Sequence, residues 1–304
     1  MKAFYTDHFV LPLPSGHRFP MDKYARLRNA VDQFPEIQLL EPSAATDTQL
    51  LYAHSPAYVQ AVMYGTLTAQ EQKEIGFPWS TPMVERSRRS VGATIAACQA
   101  ARTDGVAVNL AGGTHHAYRD KGSGFCVFND AVIAARVLQK ETSAVRQVLI
   151  IDLDVHQGNG TASILQNDDS IFTFSMHGEK NFPFRKETSN LDVPLADGCD
   201  DATYLNALEH ALDKIDQLFQ PDFIIYLAGA DPHEGDRLGR MNLTQAGLLS
   251  RDQRVMDYAL HRKIPVALSM AGGYGKNIDL TVSVHLQTIR CALAMQPTLQ
   301  AALC

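Results

Sequence analysis

The stretch "VLIIDLDVHQGNG" (residues 148–160) joins an apolar run to three ionisable side chains placed at every second position. Val148 to Ile151 reads as a buried strand, and Asp152, Asp154 and His156 fall on one face if the chain stays extended beyond it. An unpaired buried carboxylate is very costly, so a compensating charge has to sit beside these groups. A metal ion is the simplest candidate. Four other runs share this build: "VAVNL" (106–110), "IFTFS" (171–175), "FIIYLAG" (223–229) and "VALSMA" (266–271). In chain order, the five lead into "AGGTHH", "LDVHQGNG", "MHG", "AD" and "GGYG".

Between the strands lie stretches with helical spacing. Residues 82–102 open with a proline at a first-turn position. Residues 201–219 put Tyr204, Leu205, Leu208, Leu212, Ile215 and Leu218 on one stripe behind an acidic start. Residues 244–262 begin at a Thr244 cap and end in basic residues, matching the helix dipole. Strands alternating with helices predict an α/β protein with parallel pairing and helices on both faces. Ligands of such folds bind beyond the carboxyl ends of the strands, where all five runs deliver small or polar groups.

Composition narrows the function. With 304 residues, 45% hydrophobic and 20% charged, the chain can bury a sizeable core, and neither a repeat nor a linker divides it, so one domain over 1–304 is expected. A net charge of −6 argues against nucleic-acid binding and is only weakly compatible with lysine-rich substrates. The N-terminal segment is broken by Asp7, His8 and two prolines, and no apolar stretch is long enough to span a bilayer. The five cysteines, Cys98, Cys126, Cys199, Cys291 and Cys304, form no C-x-x-C pair, which favours reduced thiols and a cytoplasmic location.

Asp154 and His156 are spaced so that they could bind a single ion, and Asp231 in "LAGAD" offers a third ligand from the end of another strand. Two carboxylates and one imidazole leave a position open for water, as catalytic zinc sites do. Taken singly, each residue reads more simply as a cap, a core histidine or a turn residue; together they favour a metal. His115 and His116 follow two glycines and are suited to proton transfer beside such an ion, with Asp152 and Asn159 as partners that fix their tautomers. They also read as ligands themselves, or as loop residues. Tyr274 in "AGGYG" is placed to donate to a developing oxyanion, or is simply a turn tyrosine. Phe125 in "GSGFCVF" lines a channel or fills the core. Cys126 reads as a small buried apolar residue.

The segments "GGTHHAYRDKGSGFCVFND", "IIDLDVHQGNGTA", "FSMHG", "GADPHEGDRLGRMNLT" and "AGGYG" resemble, in order and context, the zinc-dependent histone deacetylase family of the arginase/deacetylase superfamily. The resemblance covers about residues 1 to 295, and "DLDVHQGNG" with "EGDRLG" looks most like class IV and its bacterial relatives. It implies a three-layer fold around a mostly parallel sheet of about eight strands. It also implies hydrolysis of an N-acyl-lysine or a related acylated amine, such as an acylated polyamine. Asp154, His156 and Asp231 would hold Zn2+, or Fe2+. His115, His116 and Tyr274 would be catalytic, with Asp152 and Asn159 behind the histidines. Asp152, Ser175, Met176 and the backbone of Asp154 and His156 would form a structural K+ site. Phe125, Phe182, Gly124 and Gly273 would shape the substrate channel, with Phe184 competing for the second wall and Gly113 allowing a close backbone approach. The loop "PLPSGHRFPMDKY" would border the channel mouth. Asn159 stands where several relatives carry Asp, which makes His116 the less basic of the pair. His233 is an additional imidazole, expected at the rim. A dinuclear manganese ureohydrolase and a catalytically silent acyl-lysine binding module are the rival readings.

Overall fold

The computed structural model describes residues 1–303; Cys304 lies outside the described residues. Eight strands form one sheet: β1 (Lys2–Phe4), β2 (Gln38–Leu40), β3 (Val106–Asn109), β4 (Val148–Asp152), β5 (Ile171–Gly178), β6 (Leu191–Leu195), β7 (Phe223–Leu227) and β8 (Val266–Ser269). Their order is β2-β1-β3-β8-β7-β4-β5-β6, and every pairing is parallel. The helices are α1 (Asp22–Val31), α2 (Asp47–Leu50), α3 (Pro56–Tyr64), α4 (Ala69–Ile75), α5 (Thr81–Asp104), α6 (Asp130–Glu141), α7 (Asn159–Leu165), α8 (Asp201–Leu218), α9 (Gln245–Arg262) and α10 (Ile278–Leu303). None is long and apolar enough to cross a membrane.

The apolar runs are continuous because the sheet is covered on both faces. Leu149 and Ile151 of β4 point into a core built with α1, α8, α9 and α10. Val148 and Ile150 point the other way, into a core built with α5 and α6. The result is the three-layer architecture expected from the alternation of strands and helices.

Local signals account for the helix starts. Ser80 accepts a hydrogen bond from the Met83 amide ahead of Pro82 in the first turn of α5. Asp200 and Thr244 do the same for Thr203 and Gly247 at the starts of α8 and α9. The predicted stripe on α8 holds for Tyr204, Leu208, Leu212 and Ile215, which are buried, whereas Leu218 is 56% exposed. The helix stops at Leu218, and the extended backbone of Phe219 turns that ring into the core in its place.

The chain runs from β4 outward to β5 and β6, then returns to place β7 on the other side of β4 and continues to β8. The space between β4 and β7 is therefore a topological switch point, where open α/β sheets form their ligand crevice. One buried side chain fastens its two walls together. Arg251 of α9 is 0% exposed; its Nη1 donates to the carbonyls of Gly229 at 2.6 Å and Leu153 at 3.3 Å, just beyond β7 and β4. Its charge is met by Asp252, with Nε 2.9 Å from Oδ1, and Tyr226 and Thr288 each donate to that carboxylate at 2.6 Å. Breaking such a buried pair from one side strands the other charge. Arg251→Met should therefore lower the unfolding free energy by about 3–5 kcal/mol, measured by urea denaturation, while Arg251→Lys should recover part of the loss.

Candidate active site

Beyond Asp152 the chain does not continue as a strand. Asp152 Oδ1 accepts from the Asp154 amide at 3.2 Å, and Asp154 Oδ1 accepts from the His156 amide at 2.9 Å. Aspartate side chains that accept from the amide two residues on offer the backbone an alternative to the ladder, so β4 ends in two successive tight turns. The expected alternation along an extended chain is replaced by this path, which still brings the same three side chains together. "MHG", expected to follow its strand, is the end of β5; His177 there is 2% exposed and meets Ser175 Oγ at 3.0 Å.

Asp154, His156 and Asp231 each present a ligand atom within 4.8 Å of the others, all buried. His156 Nδ1 is 2.9 Å from Asp154 Oδ1 and 3.2 Å from Asp231 Oδ2. Asp231 Oδ1 accepts from the Val155 amide at 2.9 Å, and Asp154 Oδ2 from the Gly272 amide at 2.7 Å. Asp231 Oδ2 is buried and, apart from the His156 ring, which is not aligned for a hydrogen bond to it, has no polar partner. Gly272 packs so closely that any side chain there would collide with both carboxylates. Burial and the neighbouring Asp154 push the Asp231 carboxyl up to about 7. Two crowded carboxylates, one with an oxygen lacking an aligned donor, and a single imidazole suit a divalent cation well.

His115 and His116 stand beside this triad with ring centroids 4.1 Å apart. His115 Nδ1 donates to Asp152 Oδ2 at 2.6 Å, and His116 Nδ1 donates to Asn159 Oδ1 at 2.6 Å. The Asn159 amide is oriented in turn by donating to the Tyr118 hydroxyl at 2.8 Å. Both rings are buried, yet they titrate in opposite directions. Burial works against a proton on His115, but the Asp152 and Asp154 carboxylates outweigh it and hold the imidazolium up to about 9. For His116, burial and the charges of His115 and His156 act together, and its pKa falls well below the ordinary value.

Tyr274 lines the same cavity as His115, His116, Asp154 and His156. Burial, with Tyr24 and Asp154 nearby, keeps its phenol protonated well above the usual range. Its loop is held from below: Lys23, 3% exposed, donates to the carbonyls of Ala271 at 3.2 Å and Gly273 at 3.4 Å, and Asp236 Oδ2 accepts from the Tyr274 amide at 2.6 Å.

Phe125 also lines the cavity, 6.0 Å from Tyr274 by ring centroids, and adopts a φ of +66°. Phe182 stacks edge-on against His116 at 4.9 Å, whereas Phe184 is 85% exposed at the mouth. Gly124, at φ +53°, leaves space that a Cβ would fill only 2.7 Å from His116 and 3.1 Å from Phe182. Gly273 faces away, toward Thr281 and His285, so Gly272 is the glycine that meets the carboxylates. Gly113 packs against Ala271. His233 is buried beneath its turn rather than at the rim, its Nδ1 accepting from the Gly235 amide at 2.9 Å. Asp152 and Ser175 are register partners across β4 and β5, with Met176 buried next to them. Cys126 is buried, and burial raises its thiol pKa far from the reactive range. The four described cysteines are all free.

Three positioning residues had no expected role. Asp130 accepts from the amides of Gly113 at 2.9 Å and Thr114 at 2.7 Å, fixing the loop that carries the histidines. Asn129 donates to the Ala117 carbonyl at 3.1 Å while capping α6. Arg251 is the third. The "ND" pair at a helix start was visible in the sequence; its reach back to the histidine loop was not.

The geometry is matched by relatedness. Residues 17–289 match the family described as the histone deacetylase domain. The chain belongs to the histone deacetylase family. It is 31% identical over 286 residues to histone deacetylase 2 of Arabidopsis thaliana, covering 90% of this chain and 73% of that one. It is 45% identical over 291 residues to an uncharacterised protein of Picosynechococcus sp., covering 95% and 97%. The acetoin utilization protein AcuC of Staphylococcus aureus shares 31% identity over 293 residues, covering 89% and 74%. Among solved structures, a histone deacetylase homologue complexed with SAHA superposes with a TM-score of 0.83 at 25% identity, covering 99% of this chain and 88% of that one. This histone deacetylase-family chain is accordingly a hydrolase of the deacetylase type.

Proposed function

We propose that this deacetylase-family protein hydrolyses the side-chain amide of an N-acyl-lysine, using a divalent ion held by Asp154, His156 and Asp231. The observation that supports it most is the placement of two imidazoles with unlike partners, one carboxylate and one amide, beside the buried triad and in one cavity with Tyr274. Zn2+ fits the donor set, and Fe2+ is accepted by the same oxygen-rich ligands. When bound, the ion polarises the amide carbonyl and acidifies a water.

The protein groups divide the remaining work. His116 keeps a proton on Nδ1, donated to Asn159, so the lone pair of its neutral Nε2 is free to take the water proton. As the water oxygen bonds to the carbonyl carbon, the Tyr274 hydroxyl donates to the oxygen that gains charge. His115, protonated against Asp152, stabilises that negative charge. The C–N bond breaks as the histidine pair returns a proton to the leaving nitrogen, giving carboxylate and free amine. Phe125 and Phe182 act as walls for the aliphatic stem, with Gly124 leaving room between His116 and Phe182.

The register of Asp152 opposite Ser175 supports a monovalent-cation site with Met176 and the backbone of Asp154 and His156, where K+ would brace the His115 partner. We further read residues 1–304 as one catalytic domain, supported by the single sheet, as a class IV-like member by "DLDVHQGNG" and "EGDRLG", and as working in the reduced cytoplasm, supported by the four free cysteines among the described residues. A dinuclear ureohydrolase needs a second ligand group, and only one group of three converges among the described residues.

The test is a panel of lysine peptides and polyamines bearing acyl groups of different length, assayed with and without chelator. Turnover that a chelator abolishes and Zn2+ or Fe2+ restores is expected. Hydrolysis of guanidino substrates with two manganese ions per chain would overturn the reading. So would tight acyl-lysine binding by metal-loaded protein without any turnover.

A further inference from the structure

The outer part of the cavity differs in charge from the rest of the molecule. It encloses about 330 Å3 and runs from His116 and His156 past Phe182 to a rim carrying Arg18, Lys180 and Arg240. No Asp or Glu lines it. Arg237 stands close behind, its Nε donating to the Tyr274 carbonyl at 2.9 Å. The chain as a whole carries a net charge of −6, so this rim opposes the sign of the molecule.

The acidic groups nearby do not cancel it. Arg240 alone has a carboxylate partner, Asp197 at 3.3 Å, while Arg18 and Lys180 have none within ion-pair distance among the described residues. Asp236 turns its carboxylate inward, accepting from the amides of Leu238 at 2.7 Å, Gly239 at 3.0 Å and Tyr274 at 2.6 Å. Glu179, next to Lys180, is exposed and does not line the mouth.

An acylated lysine side chain is itself neutral, so the channel does not require a charged rim. What the rim meets is the substrate on either side of that lysine. Arg18 and Lys180, long and exposed, attract carboxylates there and repel further ammonium groups. We infer that the rim selects acyl-lysines flanked by acidic residues, and disfavours lysine-rich tails and acylated polyamines. This rests on the hydrolase reading above and narrows its substrate class.

The experiment compares three acetyl-lysine peptides identical except for flanking Glu, Gln or Lys, together with an acetylated polyamine, using the metal-loaded protein. At low ionic strength kcat/KM should fall in the order Glu, Gln, Lys. The extremes should differ about tenfold, as expected for a few exposed charge pairs, and the polyamine should rank with Lys. The spread should narrow in 0.5 M salt, and the Arg18→Glu/Lys180→Glu variant should reverse the order. Efficient hydrolysis of the Gln peptide with no ordering, or with Lys preferred, would overturn the rim inference and leave the hydrolase standing. An undiminished Glu preference in the double variant would overturn it equally. Failure to hydrolyse any of these substrates or any member of the acyl-length panel above would overturn both.

Discussion

Replacing Asp231 by asparagine should abolish divalent-ion binding and activity together. The amide preserves the shape and can still accept the Val155 N–H that Asp231 Oδ1 receives at 2.9 Å. What it removes is the charge at Oδ2, the oxygen that faces His156 Nδ1 at 3.2 Å without a well-aligned hydrogen bond. Losing even an outer partner of a metal ligand costs 10–100-fold in affinity, so losing this ligand should cost more than about 100-fold. Elemental analysis after dialysis, with a competition titration against a chelator, reads the effect directly. The fold should not suffer. Burial and Asp154 already push this carboxyl up to about 7, so ionised Asp231 opposes folding at higher pH, and a neutral amide escapes that cost. Metal-free Asp231→Asn should therefore melt no lower than the metal-free parent at pH 8. A variant that kept stoichiometric metal at parental affinity would show that the triad is not the site.

Tyr274→Phe should lower kcat by two to three orders of magnitude while leaving KM nearly unchanged. The ring remains, with its neighbours Phe125 at 6.0 Å and Phe19 at 6.5 Å by centroids and the Lys23 ammonium 5.5 Å from its own. Only the hydroxyl goes. One lost oxyanion donor costs about 2.7–4 kcal/mol of transition-state stabilisation, and little of that is felt in the ground state. Because the phenol is held protonated well above its ordinary range, it donates throughout neutral pH and adds no limb to the rate profile between about pH 6 and 9. Wild-type turnover in a well-folded, metal-loaded variant would remove Tyr274 from the mechanism.

Much of the site was legible because its chemistry sits at strand ends, where apolar runs stop abruptly and polar groups begin. Asp154, His156, Asp231, the histidine pair and Tyr274 could all be read that way. The three-layer fold followed from the alternation of strands with helices of ordinary length. Where reading failed, the signal was short or non-local. Strands β1 and β2 are three residues each, and β6 contains Pro194 and is only partly buried. Helix α10 carries an internal proline, Pro297, which by itself argues against a helix there. Arg251 and Asp252 look like two of several charged residues on α9, and nothing in their neighbourhood announces that they are buried as a pair. The chain path after Asp152 was misjudged because aspartate's pull on the amide two residues along competes with extension at just that point.

The tie that Arg251 makes between Gly229 and Leu153 separates two kinds of position in this chain. The candidate metal ligands follow β4 and β7, neighbouring strands of the sheet that a buried cation ties together. The residues at the cavity mouth, Arg18, Lys180 and Phe184, sit on exposed segments outside any strand or helix and support little of the core. Exchanging such peripheral side chains should therefore alter substrate preference while leaving the buried triad and the stability of the fold intact.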